Sequence, residues 1–417
     1  MNVQRRRRRL LIAAMLIDTL GGGLLTPFEL VYALKIAHLS LTSAGLILSL
    51  AAACGIVLGP IAGAAVDRVG PARVVAAANV LGVAGCVSIL LWTNGYGYAL
   101  GAFLLSTNMR VFWAAFTPLV ASIASGAELE QWFGRLRGAR YIGIVSGEGL
   151  SGLVFLASVD TGLRLLVIAD AVSFAAALVL VLAATPPRRA PAEVEPDEAP
   201  EHGGYRQVLK DRVNVALAAL NVAATLLVIA PILVLPVFIL DRLHLPPWLP
   251  GVLAALLTAT AAGGLLFGSR LVRGRRRLRN LEIAATLWAL GCAVFVLAPL
   301  GTVVSYGVLF AGVLLLGLGE ALYAPTADAL PASMARLALR GRYAAVHQMA
   351  WGISEAIAPT LGAATLAAGN AVLWLTLTAI AGAAALAYRA LERPTDGRDG
   401  IAGAELSSAE VAAEPPR

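Results

Sequence analysis

Apolar residues run through this chain in blocks of about 20, the length at which a helix crosses roughly 30 Å of hydrocarbon. Short polar breaks, often with glycine or proline, separate the blocks. Together they predict twelve membrane helices. The first six lie near residues 10–34, 42–66, 73–93, 97–122, 139–158 and 163–184. The second six lie near 213–240, 248–270, 280–299, 303–325, 343–367 and 371–390. Between the two sets, "PPRRAPAEVEPDEAPEHGGY" is rich in proline and acid and poor in large apolar residues, and it reads as a linker over 186–212. The tail from residue 393 has the same character and is expected to be disordered. The domain reading is therefore two six-helix halves, 1–185 and 213–392, joined by the linker.

Composition agrees. Of the 417 residues 59% are hydrophobic and 14% charged, too few polar groups to coat a large soluble core. The fold class is an all-α polytopic membrane protein.

The net charge of +7 first raises the question of nucleic acid, and the placement of the charges answers it. With the N-terminus in the cytoplasm, nearly all of the 32 Lys and Arg residues fall on the cytoplasmic side. They include Arg5 to Arg9, Arg68 and Arg73, Arg135, Arg137 and Arg140, the linker, Arg270 to Arg279, and Arg336, Arg340 and Arg342. Lys35, Arg164 and Arg242 are left for the outer loops and Arg110 for the interior of helix 4. Such asymmetry is what orients membrane proteins, so the charge is a topology signal with both termini inside. "MNVQRRRRRLLIAAML" is read as an uncleaved first helix, because no small-residue cleavage site follows a short apolar region. Cys54, Cys86 and Cys292 lie in apolar runs without metal-ligand spacing and are read as buried, inert thiols.

The halves repeat weakly. "VAGCVSILLW" matches "ALGCAVFVLA", "AAFTPLVA" matches "ALYAPTAD" with Pro118 against Pro325, and "RGARY" matches "RGRY" in the same order. Parallel repeats of six helices place a binding site between the halves near the bilayer midplane.

The stretch "GPIAGAAVDRVGPAR" puts an Asp-Arg pair between helices 2 and 3. Gly70 and Pro71 suit a tight reversal, and Gly59 with Gly63, four apart, suit close approach of a neighbouring helix. Gly63, Asp67, Arg68 and Gly70 resemble the loop motif of the major facilitator superfamily of secondary transporters, although Pro71 and Ala72 stand where a basic pair is usual and Arg73 follows late. The resemblance implies that Asp67 engages the cytoplasmic start of helix 11. "IADAVSFAAALVLVL" is similar to helix 6 of macrolide and siderophore exporters. "APTADALPASMARLALRGRYAAVHQMAWGISEAIAPTLGAA" is similar to helices 10 and 11 of drug:proton antiporters. The antiporters' helix-5 Gly-Pro is absent, and only Gly143, Gly147, Gly149 and Gly152 remain.

Charges inside membrane helices are costly and point to function. Asp18, Arg110 and Glu148 lie at similar depth on helices 1, 4 and 5 and are expected to cluster; Glu320 and Glu355 are the candidates in the second half. A carboxylate that alternates between an Arg partner and none can take up and release a proton. Glu29 is expected to reach water and Asp170 to be structural; His347 is a weak candidate proton carrier near the inner end of helix 11, with a solvated surface residue the favoured reading. Trp113, Tyr323 and Trp351 are weak candidates to line a substrate path. No nucleotide-binding loop or catalytic constellation is visible, so the chain is not read as an enzyme, and no cofactor or metal is expected. The partners expected are a lipophilic substrate, protons and the bilayer of a bacterial inner membrane, with the monomer as the working unit. Proton-coupled export of small lipophilic or amphipathic compounds leads; metabolite import and a non-transporting sensor stay open.

Overall fold

The computed structural model describes residues 2–122, 127–156, 158–184, 208, 210–272, 276–334 and 340–392. Most of the expected linker, and the tail from residue 393, lie outside them. The described elements are helices. α1 (Asn2–Leu25) continues through a 3-10 turn (Thr26–Phe28) into a short helix (Glu29–Lys35). Then come α2 (Leu41–Val69), α3 (Pro71–Leu91), α4 (Gly95–Ala121), α5 (Ala127–Ser151) and α6 (Val159–Ala184). α7 (Arg212–Val237) ends in a π turn (Phe238–Arg242). α8 (Leu249–Val272), α9 (Arg277–Phe295), α10 (Thr302–Met334), α11 (Arg340–Ala368) and α12 (Asn370–Glu392) follow.

Each predicted segment is met by one of these helices, but several extend beyond the apolar run. α1 includes the Arg block, α5 begins twelve residues before the expected 139, at Ala127, and α10 continues to Met334. An apolar run measures the hydrocarbon and not the helix, which goes on wherever polar residues can solvate it. Nine of the described helical stretches are long and apolar enough to cross a membrane. Exposed apolar stripes run along their surfaces. Leu46, Leu50, Val57 and Ile61 of α2, and Leu165, Ile168, Val172 and Val179 of α6, are all exposed. Rows of this kind suit hydrocarbon and would be an aggregation hazard in water.

The helices form two compact units. The first is α1 to α6 together with Ala230–Ala255 and Glu355–Ala368; the second holds the rest of α7, α8 and α11 with α9, α10 and α12.

In the first unit α1 packs on α5 and α6, and α3 on α4 and α6. Glycine makes the α1–α5 contact possible: a Cβ at Gly147 would stand 2.2 Å from the Leu20 carbonyl oxygen, and one at Gly143 would stand 2.1 Å from Thr19 Oγ1. Two of the helix-5 glycines kept in this sequence are thus contact points with α1. Gly59 and Gly63 correct an expectation. A Cβ at either would meet no described atom within 4 Å, so neither makes a close helix contact here. Gly70 does what was expected of it, with φ +87 at the reversal and Pro71 opening α3. Cys86 and Cys292 are buried, but Cys54 is exposed, contrary to the reading of all three as interior.

The repeat has a structural counterpart within each unit. A Cβ at Gly85 of α3 would meet the Gly101 carbonyl oxygen, Leu104 and Leu105; one at Gly291 of α9 would meet the Gly312 carbonyl oxygen, Leu315 and Leu316. This register pairs Gly101 with Gly312, a few residues off the register that pairs Pro118 with Pro325. A second correspondence escaped the sequence reading. His38 and His244 both have φ 53, and beside them Leu39 N–H bonds to the Ala33 carbonyl at 3.0 Å and Leu245 N–H to the Ile239 carbonyl at 3.1 Å. These are the same left-handed helix stop with a six-residue closing bond, used twice.

Candidate functional site

Arg110 of α4 donates from Nη2 to Oε2 of Glu355 on α11, the candidate pair that the structure brings together. The two side chains are 21% and 34% exposed, so the pair is screened only in part. Local packing explains how Arg110 fits: at Gly55 of α2 a Cβ would stand 2.7 Å from Ser106 Oγ and 3.2 Å from Arg110 Cγ. The glycine leaves the room that the Arg stem occupies. Pro359 bears no N–H for the carbonyl of Glu355 four residues back, so the backbone at Glu355 lacks one helical bond.

The same stretch of α11 is held to α2. Thr360 donates from its N–H (3.0 Å) and its hydroxyl (2.8 Å) to Ser49 Oγ. A Cβ at Gly45 would stand 2.5 Å from both the Pro359 carbonyl oxygen and Ala363 Cβ, so the two backbones touch. Beyond them Lys35 Nζ lies 2.6 Å from Asp241 Oδ1, and Arg242 donates to the Leu366 carbonyl at 3.1 Å. α5 meets the start of α8 in the same way, since a Cβ at Gly251 would clash with Ser151 Oγ at 2.2 Å and one at Gly152 with the Trp248 carbonyl at 2.8 Å. None of Gly45, Ser49, Gly55, Asp241 or Thr360 was singled out from sequence. Small residues in Ala- and Gly-rich helices carry no mark of which ones face a helix distant in the chain.

The expected cluster of Asp18, Arg110 and Glu148 is not how the structure uses Arg110, which turns to Glu355. Asp18 lines a cavity among α1, α3, α4, α5 and α6. The positive charge of Arg140 on α5 acts on it. Arg140 also lies over the Trp113 ring, 5.0 Å from its centroid. Glu148 is buried. Asp170 is buried as well, with Oδ2 3.6 Å from Cys86 Sγ and Oδ1 3.4 Å from Ser173 Oγ. Glu29 is half-buried and its main-chain carbonyl accepts from Tyr98 Oη at 3.1 Å. Trp113 is exposed and forms an aromatic row with Phe112 and Phe116.

At the start of α5, Glu128 accepts from Arg8, whose guanidinium lies 5.1 Å from the centroid of the buried Trp132 ring. The hydrogen bond from Arg8 holds the Glu128 carboxyl below its ordinary value, helped by the charges of Arg8 and Arg135. One residue of the Arg block therefore joins two helices as well as marking topology.

In the second unit the candidates are placed differently. Tyr323, expected as a weak substrate-lining residue, is buried at 3% exposure; it donates to Asn221 Oδ1 and packs on Trp288 with centroids 5.2 Å apart. In this structure it packs inside the unit and lines no described cavity. His347, expected at the surface, is buried, and its carbonyl accepts from Asn221 Nδ2 at 3.0 Å. Thr225 and Ser354 hydroxyls meet at 2.6 Å. Glu320 and Trp351 are half-buried on α10 and α11. Of the loop motif, Asp67, Arg68 and Arg73 are exposed.

Comparison with known proteins fits this architecture. The family model of the Major Facilitator Superfamily matches residues 10–298. No curated protein matches the chain in sequence. Among solved structures, a point mutant of the nucleoside transporter NupG aligns with a TM-score of 0.76 at 14% identity, covering 93% of this chain and 99% of that one. A peptide transporter POT in complex with sulfate gives 0.75 at 14% identity over 95% and 96%. A bacterial homolog of the human lysosomal transporter Spinster, inward-facing and unoccupied, gives 0.73 at 13% identity over 94% and 97%. At such identities the likeness is one of fold. With the family model covering well over half of its length, the chain belongs to the Major Facilitator Superfamily.

Proposed function

We propose that this chain is a proton-coupled secondary transporter that exports small lipophilic or amphipathic compounds by alternating access. The observation that carries the reading is the Arg110–Glu355 pair, which joins helix 4 of the first sequence half to helix 11 of the second. Within a membrane such a pair is retained where its making and breaking does something. Protonating Glu355 removes the charge that holds Arg110, and the freed joint lets the ends of α2, α4 and α11 separate. Deprotonation remakes it. The cycle thus couples one proton to one change of shape, with no nucleotide and no covalent step. Export of lipophilic compounds is favoured by the resemblance of helices 6, 10 and 11 to drug and macrolide exporters and by the scarcity of Asn and Gln for a sugar-like cargo. The peptide and nucleoside transporters of the same fold make import the second reading.

The test is uptake of lipophilic dyes, macrolides and siderophore-like compounds into everted membrane vesicles made acid inside. Wild type should accumulate at least one class, a protonophore should abolish it, and Glu355→Gln should reduce it at least tenfold. Glu355→Gln vesicles that accumulate like wild type would remove the pair from coupling. Proton-driven uptake of a di-peptide or nucleoside in right-side-out vesicles, with none of the lipophilic panel moved, would establish import instead.

A further inference from the structure

We propose that Asp18 and Asp170 form a two-carboxyl proton-holding site inside the bundle of α1 to α6, hydrated through Asn79 and separate from the Arg110–Glu355 pair. Its use in transport rests on the proton-coupled reading above; its existence does not.

The cavity beside Asp18 has ≈ 30 Å³ of space for a water-sized body. One water needs about 10–15 Å³ measured in that way, so there is room for one or two. Most of the lining is apolar, including Met15, Phe112, Phe116 and Val181, and the two polar groups are Asp18 and Asn79. Asn79 is 1% exposed. Its amide Nδ2 donates to the Val75 carbonyl at 2.9 Å, which fixes which way the amide points. Its Oδ1 accepts from no described residue. A buried amide oxygen can only accept, and left without a donor it is destabilising. The donor that the cavity can supply is a water or the protonated Asp18 carboxyl. A metal ion is a poor occupant, because it would find two oxygens where about six are needed.

Asp170 completes the site from α6. At Gly21 of α1 a Cβ would stand 2.7 Å from Asp170 Oδ1 and 1.9 Å from Ser173 Oγ, so α1 approaches Asp170 only because residue 21 is glycine. Gly21 lies three residues beyond Asp18, one turn along the same face. The two carboxyls thereby flank one stripe of α1. Among the described residues the charges that act on them include Arg140 of α5 on Asp18, and Asp18 of α1 and Glu29 of the short helix after it on Asp170. α3 offers Asp170 only the Cys86 thiol, and α4 faces the cavity with apolar side chains. Among the described residues Asp170 has a thiol and a hydroxyl for neighbours, and a second negative charge beside Asp18 is costly in a low-dielectric bundle, so on this proposal the two carboxyls hold a proton between them. The water on Asn79 gives that proton a polar step toward Asp18.

The proposal is tested on the resting full-length protein in lipid nanodiscs, by infrared spectroscopy of the protonated-carboxyl C=O band through a pH titration, with no transported compound added. Wild type should keep a protonated-carboxyl band at neutral pH. Asp18→Asn should move the titration midpoint of the remaining Asp170 band by about one pH unit or more. Asn79→Leu should shift the frequency of the Asp18 band and leave that of Asp170 in place. Asp170→Asn should delete one band; should that variant not fold, Asp18→Asn and Asn79→Leu still decide. No protonated band at neutral pH overturns the site, as does an Asp170 midpoint indifferent to Asp18→Asn or an Asp18 band indifferent to Asn79→Leu. Coupled bands in a protein whose Glu355→Gln variant transports normally would leave this site standing and remove the reading of the ion pair.

Discussion

Helix α11 is joined to its neighbours in two chemically different ways. Its first part, in the second unit, is stitched to α7 by neutral groups: Thr225 to Ser354 at 2.6 Å, Ser354 Oγ to the Val222 carbonyl at 2.8 Å, and Asn221 to the His347 carbonyl at 3.0 Å. Its second part, in the first unit, meets α4 through the Arg110–Glu355 ion pair and α2 through Thr360 and Ser49. The neutral stitches are buried or partly buried and none of their donors titrates near physiological pH, so a change of pH does not undo them. The ion pair has a carboxylate that one proton neutralises. One helix thus carries a neutral joint and, on the function proposed above, a switchable one. The difference lies in charge and not in the number of contacts.

The largest effect should come from cutting the switchable joint. Arg110→Ala leaves a half-buried carboxylate without its partner, and Glu355→Gln leaves the guanidinium so. Each should lower energised uptake at least tenfold, and Arg110→Lys should fall between, since an ammonium restores the charge but not the planar fork. Because the two act as a unit, Arg110→Ala combined with Glu355→Gln should cost scarcely more uptake than either alone. Additive losses in the vesicle assay would mean that the residues work separately and that the pair is incidental.

A smaller but cleaner contrast separates glycines that a reading of sequence cannot tell apart. Gly45 and Gly63 both lie on α2 and both sit in small-residue runs. Gly45→Val should cost about 1–3 kcal/mol, because its Cβ would overlap the Pro359 carbonyl and Ala363. Gly63→Ala should leave the thermal midpoint in detergent unchanged or slightly higher, since nothing described lies near it and alanine is the better helix former. Equal midpoints for the two variants would break the claimed α2–α11 contact.

Twelve helices and their order could be read from apolar length alone, because hydrocarbon thickness imposes that length on each span. The start of α5 could not: Glu128, Arg135 and their neighbours hide a helix from a hydropathy rule while Arg8 and Trp132 hold it in place. Buried charge did mark Arg110 and Glu355 as candidates. Their pairing joins residues 245 apart, which no local pattern encodes. Asn79 and Asn221 escaped notice because an isolated amide in an apolar run looks the same whether it caps a carbonyl, holds a tyrosine or faces water. Tyr323 and His347 were misplaced for the converse reason, since an aromatic or imidazole group gives no sign of which helix face it occupies.

Next in size is Asn221→Ala in the neutral joint. It removes the Tyr323–Asn221 hydrogen bond and the amide's bond to the His347 carbonyl from a buried setting, for a loss of about 1–3 kcal/mol. The thermal midpoint should fall, while the pH dependence of uptake keeps the wild-type profile. A shifted pH profile in Asn221→Ala would mean that the neutral seam takes part in coupling and that the contrast along α11 is false.

The smallest effect tests charge without burial. Glu128 is exposed, and Arg8 holds its carboxyl below the ordinary value of 4.5. Because the folded-state value is lowered, the contribution is present above the unfolded value and is lost as pH falls through the folded one. Glu128→Gln should therefore lower the thermal midpoint slightly at neutral pH, and less in high salt, where exposed pairs are screened. The gap between variant and wild type should close as the pH drops below 4.5. Uptake should stay at the wild-type level throughout, since this pair joins α1 to α5 and neither end of the switch depends on it. Loss of uptake at unchanged stability would show that charge at the base of α1 reaches the coupling site, and the switch could then no longer be assigned to Arg110 and Glu355 alone.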